Sequence, residues 1–210
     1  MRHLKILFFA ALALFVLSCK KEQSKPEQYD KVEIKQWKPE DTRSITGVMG
    51  KRGLLTKADQ ATDGYVLFSP TAGVKTYLMD MDGLIVHSWD GNINTMHAYL
   101  QENGHLFRLE RDTEFPTFAA GGQAGIIREY DWEGNKLWEF KLADEDELLH
   151  HDFEIMPNGN ILAISYHAKT KEEAIAAGRK PESLGEAGIW PDKIIEIQPT
   201  RPVGGTIVWE

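Results

Sequence analysis

The sequence of 210 residues holds one cysteine, Cys19, which excludes an internal disulfide framework and a Cys-rich zinc site. Positive charge is scarce: 24 Lys plus Arg stand against 32 Asp plus Glu, a net charge of -8. Residues 1–18 hold Arg2 and Lys5 and no acid, so the remainder carries 22 bases against 32 acids, or -10. A surface of that sign repels phosphate backbones, and no nucleic-acid partner is expected. The longest apolar run, Ile6 to Leu17, is twelve residues, short of the roughly 20 that a membrane-spanning helix needs. His-Glu-x-x-His, Gly-x-Ser-x-Gly, a phosphate-binding loop and Gly-x-Gly-x-x-Gly are all missing. No motif for a zinc protease, a serine-hydrolase elbow or a nucleotide cofactor is left, and neither metal nor cofactor is expected. What is plentiful is aromatic and turn-forming: six Trp, nine Phe and 18 Gly, the makings of strands joined by tight turns.

The chain opens with a short basic region, Met1-Arg2-His3-Leu4-Lys5, followed by the twelve-residue apolar run, as a secretory signal does. Val16-Leu17-Ser18-Cys19 then resembles the lipobox of bacterial lipoproteins, in which the cysteine is lipidated and becomes the mature N-terminus. Residues 1–18 are read as a lipoprotein signal peptide, with Cys19 the lipidation site. The expected location is exported, lipid-anchored in the cell envelope on the periplasmic or outer-membrane side, with the lipid as the sole membrane contact. The competing reading is an ordinary leader with an incidental cysteine. Residues 19–62 follow as a tether and lead-in: Lys20 to Glu40 is charged, contains two prolines and lacks apolar periodicity. Leu54 and Leu55 are candidates to pack on the first folded unit.

From residue 63 onward the sequence repeats. Thr76 to Trp89 (TYLMDMDGLIVHSW) is a strand, a tight turn and a strand, and Ile126 to Trp138 (IIREYDWEGNKLW) repeats it. Gly83 to Gly134 is 51 residues, and Trp89 to Trp138 is 49. A third copy begins at Lys193-Ile-Ile-Glu-Ile and ends at Trp209-Glu210. A second hairpin lies between these: His97 to Phe107 parallels His151 to Leu162, with one extra residue in the later copy, and each turns at an Asn-Gly pair. Such pairs suit turns whose two central residues both take positive φ. Two hairpins per unit of about 50 residues is the signature of a propeller blade. The expected fold is all-β: residues 63–210 form an incomplete β-propeller of about two and a half four-stranded blades, centred on 64–110, 126–166 and an incomplete one from 193. The tryptophans that close the hairpins are expected to pack between blades. Thr170-Lys-Glu-Glu173 fits a capping box and Gly178 a helix stop, which predicts one short helix near 171–177 in a long loop. Because two blades are complete and a third is only begun, the chain is read as the front part of a longer protein, inactive by itself.

Chemistry rests on histidine. Asp80-Met-Asp82-Gly83 lacks the later ligands of a calcium loop and suits a hairpin turn better. His105 follows an Asn-Gly turn, His87 lies in an outer hairpin where solvent exposure would explain it, and His167 begins the long loop. His97 and the adjacent pair His150-His151 stand apart, because they precede the Asn-Gly hairpin at corresponding points of successive units. Blade symmetry would bring them to one mouth of a central channel, with one ring of the pair, His151 by preference, facing inward and the other bonded to backbone. In an extended strand the two rings would point apart, so the pair alone does not suggest a metal site. Repeated histidines that brace the blades explain the same pattern without chemistry.

Gly64-Tyr-Val-Leu-Phe68, Thr76 to Gly83 with Val86-His-Ser-Trp89, and above all His150-His-Asp-Phe-Glu-Ile-Met-Pro-Asn-Gly-Asn-Ile-Leu162 resemble the arylsulfotransferase family of bacterial periplasmic and lipoprotein enzymes. The resemblance spans about residues 63–210. It implies a six-bladed propeller with its active site in the central channel. The implied reaction moves a sulfuryl group from an aryl sulfate to a phenol by way of a sulfated histidine, with no nucleotide donor. His151 or His150 matches one histidine motif of the family, and His97 sits at the equivalent point one blade earlier. The family's nucleophilic histidine and assisting arginine would lie in later blades. The alternatives are a non-catalytic propeller that serves as a binding module at the cell envelope, and a different propeller enzyme such as a hydrolase.

Overall fold

The computed structural model describes residues 54, 56–71, 73–112 and 121–210. Residues 1–18, Cys19 and all but the last few residues of the tether lie outside them. Eleven strands follow in order: β1 (Val66–Phe68), β2 (Thr76–Met79), β3 (Ile85–Trp89), β4 (Thr95–Leu100), β5 (Leu106–Arg111), β6 (Gly125–Tyr130), β7 (Lys136–Lys141), β8 (Glu147–Ile155), β9 (Ile161–His167), β10 (Asp192–Pro199) and β11 (Gly205–Trp209). They form three antiparallel sheets, β1-β2-β3, β4-β5-β6-β7 and β8-β9-β10-β11, each a meander of hairpin-joined neighbours. The all-β, partial-propeller reading is borne out.

The blade boundaries are corrected. Strand β5 pairs with β6 along its whole length, Leu106 with Tyr130 through Arg111 with Gly125, so residues 95–141 are one blade. The hairpin from residue 192 completes the third sheet by pairing β10 with β9 rather than opening a new blade. A repeat of about 50 residues sets the size of the unit and not its phase. The phase depends on which hairpins share hydrogen bonds, and two equally regular hairpin series leave that choice open.

One turn recurs at the hairpins. Asp80, Gln101, Asp131 and Met156 each donate their backbone N–H to the carbonyl four residues on, and each accepts a bond from the glycine three residues on. The glycines, Gly83, Gly104, Gly134 and Gly159, have φ between 80° and 87°. Only that one position is left-handed. Asn103 and Asn158 keep negative φ and instead accept backbone N–H bonds from His105 and Asn160 through their side-chain oxygens. The Asn-Gly pairs therefore form a type I turn closed by a glycine bulge, not the doubly left-handed turn their sequence suggests. The Asp80 carboxylate does the same work, accepting from Asp82 and Leu84 backbone at 2.9 Å.

The core lies between the sheets, and the alternation of β5 shows how. Phe107 and Leu109 face the third sheet, in a cluster with Ile127, Trp138, Phe153, Ile161 and Ile195. Leu106 faces the first sheet with Leu78, Trp89 and Tyr130. Because successive side chains point to opposite faces, both faces of β5 are buried, one apolar and the other carrying Arg108 and Glu110 beside Leu106. The tryptophans pack between blades as expected. Trp89 Nε1 donates to the Asp131 carbonyl and Trp138 Nε1 to the Gly204 carbonyl, each reaching the outer turn of the following sheet. The first interface also holds buried charge: Arg108 and Glu110 are both fully buried, with Arg128 Nη1 2.5 Å from Glu110 and Arg108 Nε 3.0 Å from it. Helix α1 (Lys171–Ala176) has the predicted capping box of Thr170 and Glu173 and stops at Gly178, whose φ is 96°. A further 3-10 turn at Pro181–Ser183 was not legible. Leu54 packs over the turn at Gly83, whereas Leu55 lies outside the described residues.

Candidate functional site

Strands β4 and β8 sit at corresponding edges of their sheets, and each is interrupted at the same place. The β4–β5 register slips between Thr95 and His97, and the β8–β9 register slips between Leu149 and Phe153. Met96 occupies the first irregularity, directly before His97, which pairs with Leu109; His150, His151 and Asp152 occupy the second. The extra residue in the later copy of the repeat is taken up in this wider bulge. Bulges bend a strand and re-aim its side chains; the second sets His150 and His151 apart from the ladder, and the first lies next to His97.

The bulge overturns the expectation for the pair. Their rings do not point apart: His150 Nδ1 and His151 Nδ1 are 2.7 Å apart, in an edge-to-face arrangement. The cause is His151, whose φ of 57° makes it the only non-glycine residue with positive φ among the described residues. A left-handed residue turns its side chain off the alternation that an extended strand imposes. That conformation costs roughly 1–3 kcal/mol and persists where surrounding structure enforces it. Here the His151 N–H donates to the Gly122 carbonyl at 2.9 Å, and Gln123 bridges to His150. A Cβ on Gly122 would fall 2.2–2.4 Å from three atoms of the His151 imidazole, so glycine is required there.

The two rings differ in environment. His150 is 3% exposed and stacks on Tyr166, ring centroids 3.7 Å apart. Its Nε2 is buried and lies 3.3 Å from Asp192 Oδ1, out of line for a hydrogen bond. Burial pushes the His150 pKa down, against the raising effect of Asp192. Its Nδ1 contacts the neighbouring ring, and the Ser165 backbone also acts on the His150 ring as a hydrogen-bond partner, raising its pKa against burial. His151 is exposed. His97 belongs to the same neighbourhood through Asp152, 3.7 Å from its Nε2. Tyr99, tilted against His97 at 4.6 Å, donates its hydroxyl to Asp152 at 3.1 Å. Burial first, and then the Asp152 carboxylate, push the Tyr99 hydroxyl up to about 12.

The other candidates fall elsewhere. His87 is not explained by solvent: its Nε2 contacts the Trp132 carbonyl at 2.8 Å and its ring stacks on Trp132, with burial lowering its pKa. His105 pairs with Glu129 at 2.7 Å, and His167 with Glu147 at 3.0 Å. Arg108 is locked in the first interface. Arg111, by contrast, donates to Gln123, whose backbone bridges to His150, so it stands beside the pair. Sequence reasoning missed Gly122, Asp192 and Tyr166. The Gly121-Gly122 pair was a visible signal; Asp192 and Tyr166 join the site only through the pairing of β9 with β10, their Cα atoms being partners.

The site thus brings a buried imidazole against an exposed one, with the Asp192 carboxylate facing the buried ring and His97 joined through Asp152. The sequence profile of the arylsulfotransferase (ASST) family matches residues 54–200. The chain belongs to that family, which is one of transferases. No curated protein and no solved structure matches it.

Proposed function

We propose that the protein is an aryl sulfotransferase, moving a sulfuryl group from an aryl sulfate donor to a phenolic acceptor by way of a histidine. The observation that supports this reading best is the exposed His151 ring, held off the strand ladder and bonded by a buried histidine, in a member of this family. In the first half-reaction a histidine lone pair forms an N–S bond while the S–O(aryl) bond breaks, and the phenolate leaves and takes a proton. In the second, the acceptor oxygen forms an O–S bond as the N–S bond breaks, and its proton passes to a base. His151 and His97 serve as acid–base groups or contacts to the sulfuryl oxygens, since an imidazole can either give or accept a proton. The reaction is placed at the cell envelope, with the folded body of residues 63–210 tethered by 19–62 to a lipid on Cys19.

The test is donor turnover by the full-length protein with and without a phenol acceptor. The reading predicts release of the donor phenol that depends on acceptor and yields sulfated acceptor. Aryl sulfate binding without turnover would replace it with the binding-module reading, and acceptor-independent release with a hydrolase.

A further inference from the structure

The His150–His151 contact allows few proton arrangements. Two nitrogens 2.7 Å apart share one hydrogen bond, so one donates and the other accepts. With both rings neutral there are two possibilities. If His150 donates from Nδ1, its Nε2 carries a bare lone pair, and His151 holds its proton on Nε2. If His151 donates from Nδ1, its own Nε2 is bare, and His150 holds its proton on Nε2. The surroundings of His150 Nε2 decide between them. That atom is buried, has no hydrogen-bond partner, and lies 3.3 Å from the Asp192 carboxylate. A bare lone pair facing an anion is repelled and an N–H facing it is attracted, here at the edge of solvent because the Asp192 side chain is 69% exposed. The stack on Tyr166 holds the His150 ring in that orientation.

We infer that Asp192 and His150 are positioning residues that fix His151 as its Nδ1–H tautomer, leaving the Nε2 lone pair free on an exposed ring. The Asp192 carboxylate faces His150 Nε2–H across 3.3 Å, and His150 Nδ1 accepts from His151 Nδ1–H. This deepens the sulfuryl-transfer reading and takes its purpose from it: His151 presents a proton acceptor to a phenol, where the other tautomer would present a donor. His151 is then the reacting ring and His150 acts through it.

The tautomers are read from long-range ¹H–¹⁵N correlation spectra of the intact chain, at a pH where both rings are neutral. The expected pattern is Nδ1–H for His151 and Nε2–H for His150; Nε2–H on His151 overturns the inference. Asp192→Ala should shift His151 toward the mixed tautomers of a free imidazole, and His150→Phe, which keeps a ring against Tyr166, should do the same. An unchanged His151 pattern in both variants overturns the positioning role. If a variant fails to fold, the pattern in the unaltered protein still decides. The spectra do not depend on turnover, so a protein with the expected tautomers and no transferase activity refutes the proposed function and not this arrangement.

Discussion

Replacing Gly122 by alanine perturbs the site through one methyl group. The residue has φ +70°, and the added Cβ would lie 2.2–2.4 Å from Cε1, Nε2 and Nδ1 of His151. Two costs follow. A left-handed conformation for a residue with a side chain costs roughly 1–2 kcal/mol. The clash is relieved by moving the exposed His151 ring, which is cheap in stability but breaks its 2.7 Å contact with His150. Stability should therefore fall by only about 1–2 kcal/mol, some 2–8 °C in Tm for a domain of this size, while the site is dismantled. Gly121→Ala is the control, since nothing lies within 4 Å of its added Cβ. Urea denaturation gives the stability, and imidazole ¹⁵N shifts report the ring pair. Unchanged ring shifts in Gly122→Ala, or equal losses in the two variants, would refute the reasoning.

Three further outcomes follow from the structure. Glu110→Gln should destabilise the protein by about 3–5 kcal/mol in a denaturant melt, because it leaves two guanidinium groups, one fully buried, without their shared carboxylate; a loss under 1 kcal/mol would contradict a working buried network. His87 and His150 both have pKa values lowered by burial, so folded rings take up protons less readily than unfolded ones. Their contribution is whole above about pH 6.5 and is lost as pH falls through the folded-state values; urea midpoints should drop between pH 7.5 and 5, and a rise would reverse the sign. Mass spectrometry of the protein exported from its native host should find the mature chain beginning at a lipidated Cys19, and a free thiol there would remove the lipid anchor.

The parts of the fold carried by local chemistry were legible. Glycine at the left-handed turn position, tryptophan at the end of each outer hairpin and the Thr170 capping box each act within a few residues or repeat at a fixed period. The phase of the blades was not, because it depends on whether β5 bonds to β6, a contact made across residues 112–124. The site was legible to the same extent. His97, His150 and His151 were singled out by their place in the repeat, and the one-residue difference between the copies was visible without its meaning, the wider bulge in β8. What that bulge does to the rings was not readable: a left-handed φ at a histidine has no sequence signature, and the residues that hold it, Gly122 and Gln123, are distant in the chain. His87 was misread for a related reason, since its partner Trp132 belongs to the next blade.

The central claim is that the exposed ring of the pair does the chemistry. Its most direct test is the turnover of an aryl sulfate with a phenol acceptor by full-length protein carrying His151→Ala, with circular dichroism to confirm the fold. A positioned acid–base group contributes about 10²–10⁴-fold, and a loss of that size with the β-rich spectrum retained is the predicted result. Turnover within a few-fold of the unaltered protein would leave His151 a brace of the blade edge and contradict the account.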